Sequence, residues 1–298
     1  MKKAVIYTPV VTAFDMNGNI DVQGNKAVYD FLIEGGVDGI VLMGSTGEFF
    51  SMTDSQKRQL IDIATEYCKG RTKLLVGTSC MRADETIELA NYALSKGAEA
   101  VMVIGPYYFS LADENIEAYY DEIAEKINGP IYIYNFPERN GYDVKPEIVL
   151  RLARKHSNIV GYKDTTSEMP HTRSLIQTMK SEFPDFTILS GTDEFLAHVV
   201  ASGGNGCIGA LANIMPEVMA KYVRAINDKN FDSISKYQQI VDEASELYGI
   251  CSPFIPAFKE AMIQRGVNIT NVCNSPFKVP NEDEKKKIRF ILKKIRLI

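Results

Sequence analysis

The sequence predicts an α/β protein, a (β/α)8 TIM barrel with a C-terminal helical appendage. Three observations carry that prediction. Short apolar, β-rich runs alternate with longer amphipathic stretches from end to end, the pattern of parallel strands joined by crossover helices. Eight such runs can be counted, which suits a closed barrel better than an open sheet. Chemically unusual residues gather where the runs end, and a parallel barrel builds its active site at the carboxyl ends of its strands.

In chain order the strands are expected near Val5–Thr8, Gly39–Met43, Leu74–Gly77, Ala100–Ile104, Ile131–Tyr134, Ile159–Tyr162, Thr187–Leu189 and Gly206–Ile208. Helical patterns follow them, among them Ser55–Cys68, Asp84–Lys96 and Asn115–Ile127. Beyond the eighth unit, Phe231–Gly249, Phe254–Gln264 and Glu282–Ile298 read as helices with no strand signal among them. The last of these opens Asn281-Glu-Asp-Glu, an N-cap side chain followed by first-turn acids that complement the helix dipole. Ile288, Ile291, Leu292 and Ile295 share one face of it, so it is expected to dock as a terminal helix rather than lie on a membrane surface. A chain of 298 residues is long enough for two domains, but barrels of this kind reach that size as one. A single domain over residues 1–298 is therefore expected, with the barrel in 1–225 and the C-terminal helices in 226–298.

Composition narrows the partners. The apolar fraction of 45% and charged fraction of 24% are those of an ordinary folded chain. A net charge of −5, with no basic stripe, argues against nucleic acid, whose binders need concentrated positive charge. No signal peptide is legible and no apolar run approaches about 18 residues, so no membrane partner and a cytoplasmic location are expected. The five cysteines are scattered with no C-x-x-C pair, as in a reduced protein.

The strand ends hold the candidates for chemistry. The second strand runs into Gly44-Ser45-Thr46-Gly47-Glu48, the fourth into Gly105-Pro106-Tyr107-Tyr108 and the fifth into Tyr134-Asn135-Phe136-Pro137. The sixth ends Gly161-Tyr162-Lys163-Asp164, the seventh Gly191-Thr192-Asp193-Glu194 and the eighth Gly206-Cys207-Ile208-Gly209. A lysine closing an apolar strand puts an amine inside the barrel mouth, and burial disfavours the ammonium form of an amine, as a nucleophile toward a ketone requires. A structural ion pair with Asp164 or Glu48 explains Lys163 equally well from position alone. Ser45 and Thr46 sit in a glycine-flanked turn whose hydroxyls and N–H groups could hold a carboxylate, or could simply form a βα turn with a helix N-cap. Tyr134, one strand from Lys163, could shuttle protons to the carbon bonded to the amine.

Other chemistries find little support. The three histidines, His156, His171 and His198, lack metal-ligand spacing, and there is no phosphate-binding Gly-x-x-x-x-Gly-Lys motif. Gly204-x-Gly206-x-x-Gly209 matches a dinucleotide fingerprint by letter, but it leaves a helix and enters a strand, the reverse of the order needed to put a pyrophosphate on a helix N-terminus.

Taken together, Gly44-Ser-Thr-Gly-Glu48, Tyr134-Asn-x-Pro137 and Gly161-x-Lys163 resemble the dihydrodipicolinate synthase / N-acetylneuraminate lyase family of class I aldolases over nearly the whole chain. The resemblance implies that Lys163 is the Schiff-base lysine and Tyr134 the acid/base phenol. It implies that Ser45 and Thr46 hold the pyruvate carboxylate, with Ser45 also relaying protons. Tyr108 would complete a hydroxyl relay in a neighbouring subunit's site, and the backbone of Ile208 would line the site. Such enzymes are usually homotetramers, dimers of dimers, and need no metal or organic cofactor.

Which member this is turns on a few positions. Arg139 stands where synthases condensing pyruvate with aspartate semialdehyde carry an arginine for the second carboxylate, though it could also pair with Glu138 or bind an acid sugar. Against a synthase, the residues of a lysine feedback site are missing: Thr53-Asp54-Ser55-Gln56-Lys57 and Met81 stand in that region. Gly161-Tyr-Lys-Asp-Thr-Thr166, with Tyr134-Asn-Phe-Pro137 and Ser252-Pro253-Phe254, is similar to the 2-keto-3-deoxy-sugar-acid aldolase branch. Gly191-Thr-Asp-Glu194 resembles the segment whose acidic pair binds the polyol of sialic acid, with Thr192 in place of a tyrosine. Asp193 and Glu194 would suit sugar hydroxyls, or form the N-cap and first turn of the seventh helix. The favoured expectation is an aldolase that cleaves a 2-keto-3-deoxy sugar acid to pyruvate and an aldehyde. Dihydrodipicolinate synthase is the alternative, sialic acid lyase the third, and a catalytically silent keto-acid-binding protein the reading from another class.

Overall fold

The apolar runs become strands because they are rich in Val, Ile and Leu and are buried along both faces, as parallel strands covered by helices must be. In the computed structural model, which describes residues 3–298, there are eight. They are β1 (Val5–Pro9), β2 (Gly39–Leu42), β3 (Lys73–Gly77), β4 (Ala100–Ile104), β5 (Ile131–Asn135), β6 (Ile159–Asp164), β7 (Thr187–Ser190) and β8 (Gly206–Ile208). They close into a barrel in chain order, the TIM-barrel topology.

Helices α1 (Val22–Gly35), α2 (Asp54–Tyr67), α3 (Ala83–Lys96) and α4 (Asp113–Lys126) follow the first four strands. Two helices, α5 (Pro137–Asn140) and α6 (Pro146–Lys155), occupy the fifth connection, where one was expected. Gly141 at φ 77° ends α5, and Pro146 at a first helical position starts α6 afresh. Then come α7 (Met169–Lys180), α8 (Leu196–Ala201), α9 (Pro216–Asn227), α10 (Phe231–Ala244), α11 (Ile255–Gln264) and α12 (Glu282–Lys294).

The chain divides into two compact units. One holds Leu74–Ile208 with residues 3–5; the other holds Ile6–Lys73 and Gly209–Ile298. In the first, β4 to β8 pair in parallel register, with Tyr134 opposite Lys163 and Asn135 opposite Asp164. Gly206 opens β8 at φ 141°, where a Cβ would collide with the backbone of Val5, so glycine is required there. Its place after α8 and before the strand bears out the dismissal of the dinucleotide motif.

In the second unit, α12 starts as expected: Asn281 accepts from the N–H groups of Asp283 and Glu284, and Glu284 returns a bond to Asn281, a complete capping box. Ile288, Ile291, Leu292 and Ile295 are all buried. The helix stops at Lys294 rather than running to Ile298, and the expected Phe231–Gly249 helix tightens into a 3-10 turn after Ala244. No helix is long and apolar enough to cross a membrane among the described residues.

Candidate active site

In the first unit, strand alternation decides which side chains meet. Successive residues point to opposite faces, so Tyr134 and Lys163 share one face and Asn135 and Asp164 the other. Tyr134 is 3% exposed and Lys163 4%. The Lys163 Nζ lies 4.1 Å from the centroid of the Tyr134 ring. The lysine is thus held beside the phenol by a register set in the backbone.

The ion pairs offered above as a structural account of Lys163 are not made. Asp164 accepts instead from Thr172 Oγ1 at 2.6 Å and Asn135 Nδ2 at 3.2 Å, and sits 2.9 Å from His171 Nδ1. Glu48, in the second unit, is bound to Lys259 Nζ at 2.6 Å and to the N–H of Asn274 at 3.0 Å. Among the described residues Lys163 has no ion-pair partner. Few cations tolerate burial on those terms unless their chemistry requires it.

Gly191 makes room for that side chain. It follows β7, donates its N–H to the Asp164 carbonyl at 2.6 Å, and a Cβ built on it would collide with Thr165 Oγ1 and come within 3.1 Å of Lys163 Cε. The Thr165 hydroxyl is itself buried with no hydrogen-bond partner. Thr165 does not stand out in the sequence, though its place two residues beyond Lys163, just past the end of the same strand, was the available signal.

Asp193 is buried and Glu194 half-buried, both in a 3-10 turn that Thr192, not Asp193, precedes as the capping residue. Neither acid is therefore an N-cap, although both lie in a first turn. Lys163, Asp193 and Glu194 all bear electrostatically on Cys207 of β8, whose thiol burial pushes well above its ordinary range. Ile208, the next residue, is fully buried.

Two candidates stand apart from this group. Arg139 on α5 lays its guanidinium 4.8 Å from the Phe136 ring centroid; among the described residues it has no ion pair with Glu138 or any other acid. Tyr108 is 80% exposed, its ring set edge-on to Phe109 with centroids 4.9 Å apart.

In the second unit, Ser45 and Thr46 lie in a tight turn closed by the Gly47 N–H to the Gly44 carbonyl at 3.0 Å and the Glu48 N–H to the Ser45 carbonyl at 3.2 Å. Thr46 is buried and Ser45 half-buried. Neither caps a helix: Thr53 caps α2, in a box with Gln56. The turn runs directly into a 3-10 helix, Phe49–Ser51, whose N-cap position is Glu48, so neither hydroxyl is a helix cap.

A closed parallel barrel with a buried lysine, free of ion pairs among the described residues, beside a phenol at adjacent strand ends defines a class, the TIM-barrel enzymes with their chemistry at the carboxyl ends of the strands. Residues 2–295 match the dihydrodipicolinate synthetase family. The chain is 34% identical over 293 residues to an Escherichia coli K12 protein named "Probable 2-dehydro-3-deoxy-D-pentonate aldolase YjhH", covering 98% of this chain and 97% of that one. It is 28% identical to the 4-hydroxy-tetrahydrodipicolinate synthase of Methanococcus aeolicus, covering 98% and 99%. The crystal structure of Escherichia coli K12 YagE, a prophage protein of the dihydrodipicolinic acid synthase family in complex with pyruvate, superposes with a TM-score of 0.96 at 33% identity and covers all of both chains. The chain belongs to the dihydrodipicolinate synthetase family and is a carbon–carbon lyase.

Proposed function

We propose that this chain is a class I aldolase that forms a Schiff base between Lys163 and the keto group of pyruvate or a 2-keto acid, and reversibly cleaves a 2-keto-3-deoxy sugar acid to pyruvate and an aldehyde. One observation carries the reading: Lys163 is buried against the Tyr134 ring and has no ion-pair partner among the described residues, while Asp164, the next residue, is engaged elsewhere. The likeness to a relative named as a 2-dehydro-3-deoxy-sugar-acid aldolase, and to a structure holding pyruvate, supports the substrate class.

In this mechanism the Lys163 amine adds to C2 of the substrate, and loss of water gives an imine. Tyr134 removes the proton from the C4 hydroxyl, the C3–C4 bond breaks, and its electron pair moves into the imine to give an enamine as the aldehyde leaves. Protonation at C3 and hydrolysis release pyruvate and restore the amine. Ser45 and Thr46 hold the carboxylate, with Ser45 relaying protons. Gly191 and Ile208 line the site, and Asp193 and Glu194 accept hydrogen bonds from hydroxyls of the sugar chain. Tyr108 serves a neighbouring subunit of a homotetramer; its exposure on the isolated chain suits that role. The whole chain acts as one cytoplasmic catalytic domain, needing no cofactor.

A second reading has one observation in its favour. The guanidinium of Arg139, without an ion pair among the described residues, is available to a second carboxylate, as condensation of pyruvate with aspartate semialdehyde requires.

The test is borohydride reduction of the pure protein with pyruvate, followed by intact-mass and peptide analysis of the wild type and Lys163→Ala. A reduced pyruvyl adduct confined to Lys163 is expected. No adduct, under conditions that trap a known Schiff-base aldolase, would undo the reading and favour a silent keto-acid binder.

A further inference from the structure

Behind the Tyr134–Lys163 pair, on the opposite face of β5 and β6, four side chains join in a loop. Asn135 Nδ2 donates to Asp143 Oδ1 at 2.7 Å and to Asp164 Oδ1 at 3.2 Å. The orientation of that amide is set by its other end, because Asn135 Oδ1 accepts the Val144 N–H at 3.1 Å. His171, on α7, bridges the two remaining carboxylate oxygens: Nδ1 lies 2.9 Å from Asp164 Oδ2, and Nε2 lies 3.1 Å from Asp143 Oδ2, in ion-pair reach though not aligned as a hydrogen bond. The ring is buried at its centre, with Asn135 and Asp164 each 1% exposed.

We propose that Asn135, Asp143, Asp164 and His171 form a closed ring of side chains that locks the carboxyl ends of β5 and β6 together, and so acts as the positioning device for Tyr134 and Lys163. The proposal rests on the catalytic reading of those two residues. Its logic is strand alternation: Asn135 and Asp164 each follow one member of the pair, so a sideways slip at the ring is a slip at the reacting atoms. Backbone bonds extend the hold, since the Asn135 carbonyl accepts the Thr165 N–H at 2.9 Å and the Asp164 carbonyl accepts that of Gly191. The register is therefore tied to the two residues that border the Lys163 side chain.

Charge closes the ring. Two carboxylates facing a neutral imidazole would meet a lone pair on one side; a protonated imidazole offers a proton to each. Burial works against that charge, but the bonds and charges of Asp143 and Asp164 prevail and raise His171 to about 10. The groups bearing on the ring are Asp164 from β6 and Asp143 from the segment before α6. Lys145 acts through Asp143, and the buried Tyr162 phenol is pushed up by its own burial and by both acids. A histidine raised this way contributes stability that is complete below about pH 6.5 and lost as pH rises through about 10.

The experiment compares wild type, His171→Leu and Asp143→Asn in the rate of borohydride-trappable adduct formation with pyruvate, over a range of pyruvate concentrations, alongside thermal unfolding from pH 6 to pH 10. In His171→Leu the saturated rate should fall on the order of 10-fold or more, with little change in half-saturation, because a misplacement of about 1 Å costs up to 100-fold. Asp143→Asn keeps the shape of the ring, should fall less, and decides the matter if His171→Leu does not fold. The wild type should lose thermal stability relative to His171→Leu as pH rises toward 10. Folded variants that trap pyruvate at the wild-type rate, even with lowered melting temperatures, would reduce the ring to scaffolding and overturn the proposal. Absence of adduct in the wild type would instead sink the reading of Lys163, and this proposal with it.

Discussion

Among the described residues two lysines are buried, and they are opposites. Lys259, fully enclosed, is satisfied on every side: Glu48 at 2.6 Å, the Val272 carbonyl at 2.7 Å and the Phe14 ring at 4.8 Å. Lys163, nearly as enclosed, has a ring beside it and no ion-pair partner among the described residues. A buried cation is expensive unless neutralised by a partner. The fold supplies that partner at Lys259 and withholds it at Lys163, although Asp164 is the very next residue. The lesson is that burial alone does not set a lysine apart; burial with the neighbouring acid committed elsewhere does, and it is this that makes Lys163 a candidate nucleophile.

This contrast can be broken most sharply in rate. Tyr134→Phe should slow turnover by about 10²- to 10⁴-fold, as loss of a proton-transfer group does, while steady-state assays of Lys259→Met, corrected for folded fraction, should stay near wild type. Equal losses in both would erase the distinction.

In stability the order reverses. Lys259→Met strands the Glu48 carboxylate and should destabilise the protein by about 3–5 kcal/mol, with Glu48→Gln added to it recovering part of the loss. Lys163→Met removes an uncompensated amine, so its urea midpoint should equal or exceed the wild-type value. A large drop in Lys163→Met would mean that this lysine is structural after all.

Gly191→Ala sharpens the comparison from the side, because the new methyl would press on Lys163 Cε and Thr165. An effect of about 10-fold on kcat is expected from such a displacement, with no counterpart around Lys259. The smallest effect is expected at Arg139→Leu, measured as kcat/KM on a 2-keto-3-deoxy sugar acid. If aspartate semialdehyde is the partner instead, loss of its carboxylate contact should cost about 10-fold or more on that substrate.

The barrel was legible because its strands are apolar runs of the right length between helical patterns, and all eight predicted strands start at the residue observed or within one of it. Their ends were less so. β5 continues through Asn135 and β6 through Asp164, because polar residues on the outward face still pair in the ladder while an apolarity count stops short of them. Lys163 and Tyr134 were legible as anomalies at strand ends. The ring around His171 was not: its partners lie 7, 28 and 36 positions away in the chain, and the histidine had been weighed only as a metal ligand. Nor could a sequence say which acids were already engaged, the fact that turns Lys163 from an ambiguous lysine into a candidate nucleophile.

The register that sets Tyr134 opposite Lys163 has a further bearing, on how the reaction centre comes into being. The two residues are 29 positions apart, joined by a single crossover. For a parallel pair, which cannot be closed by a hairpin, that is a modest separation, and the loop-closure entropy it demands grows only slowly with length. Because the strands pair in chain order, other neighbouring pairs span similar stretches, and only the closure of β8 on β1 spans far more of the chain, the kind of contact that forms late. The pair at the heart of the proposed chemistry is a comparatively local object, able to assemble as soon as the fifth and sixth strands have left the ribosome.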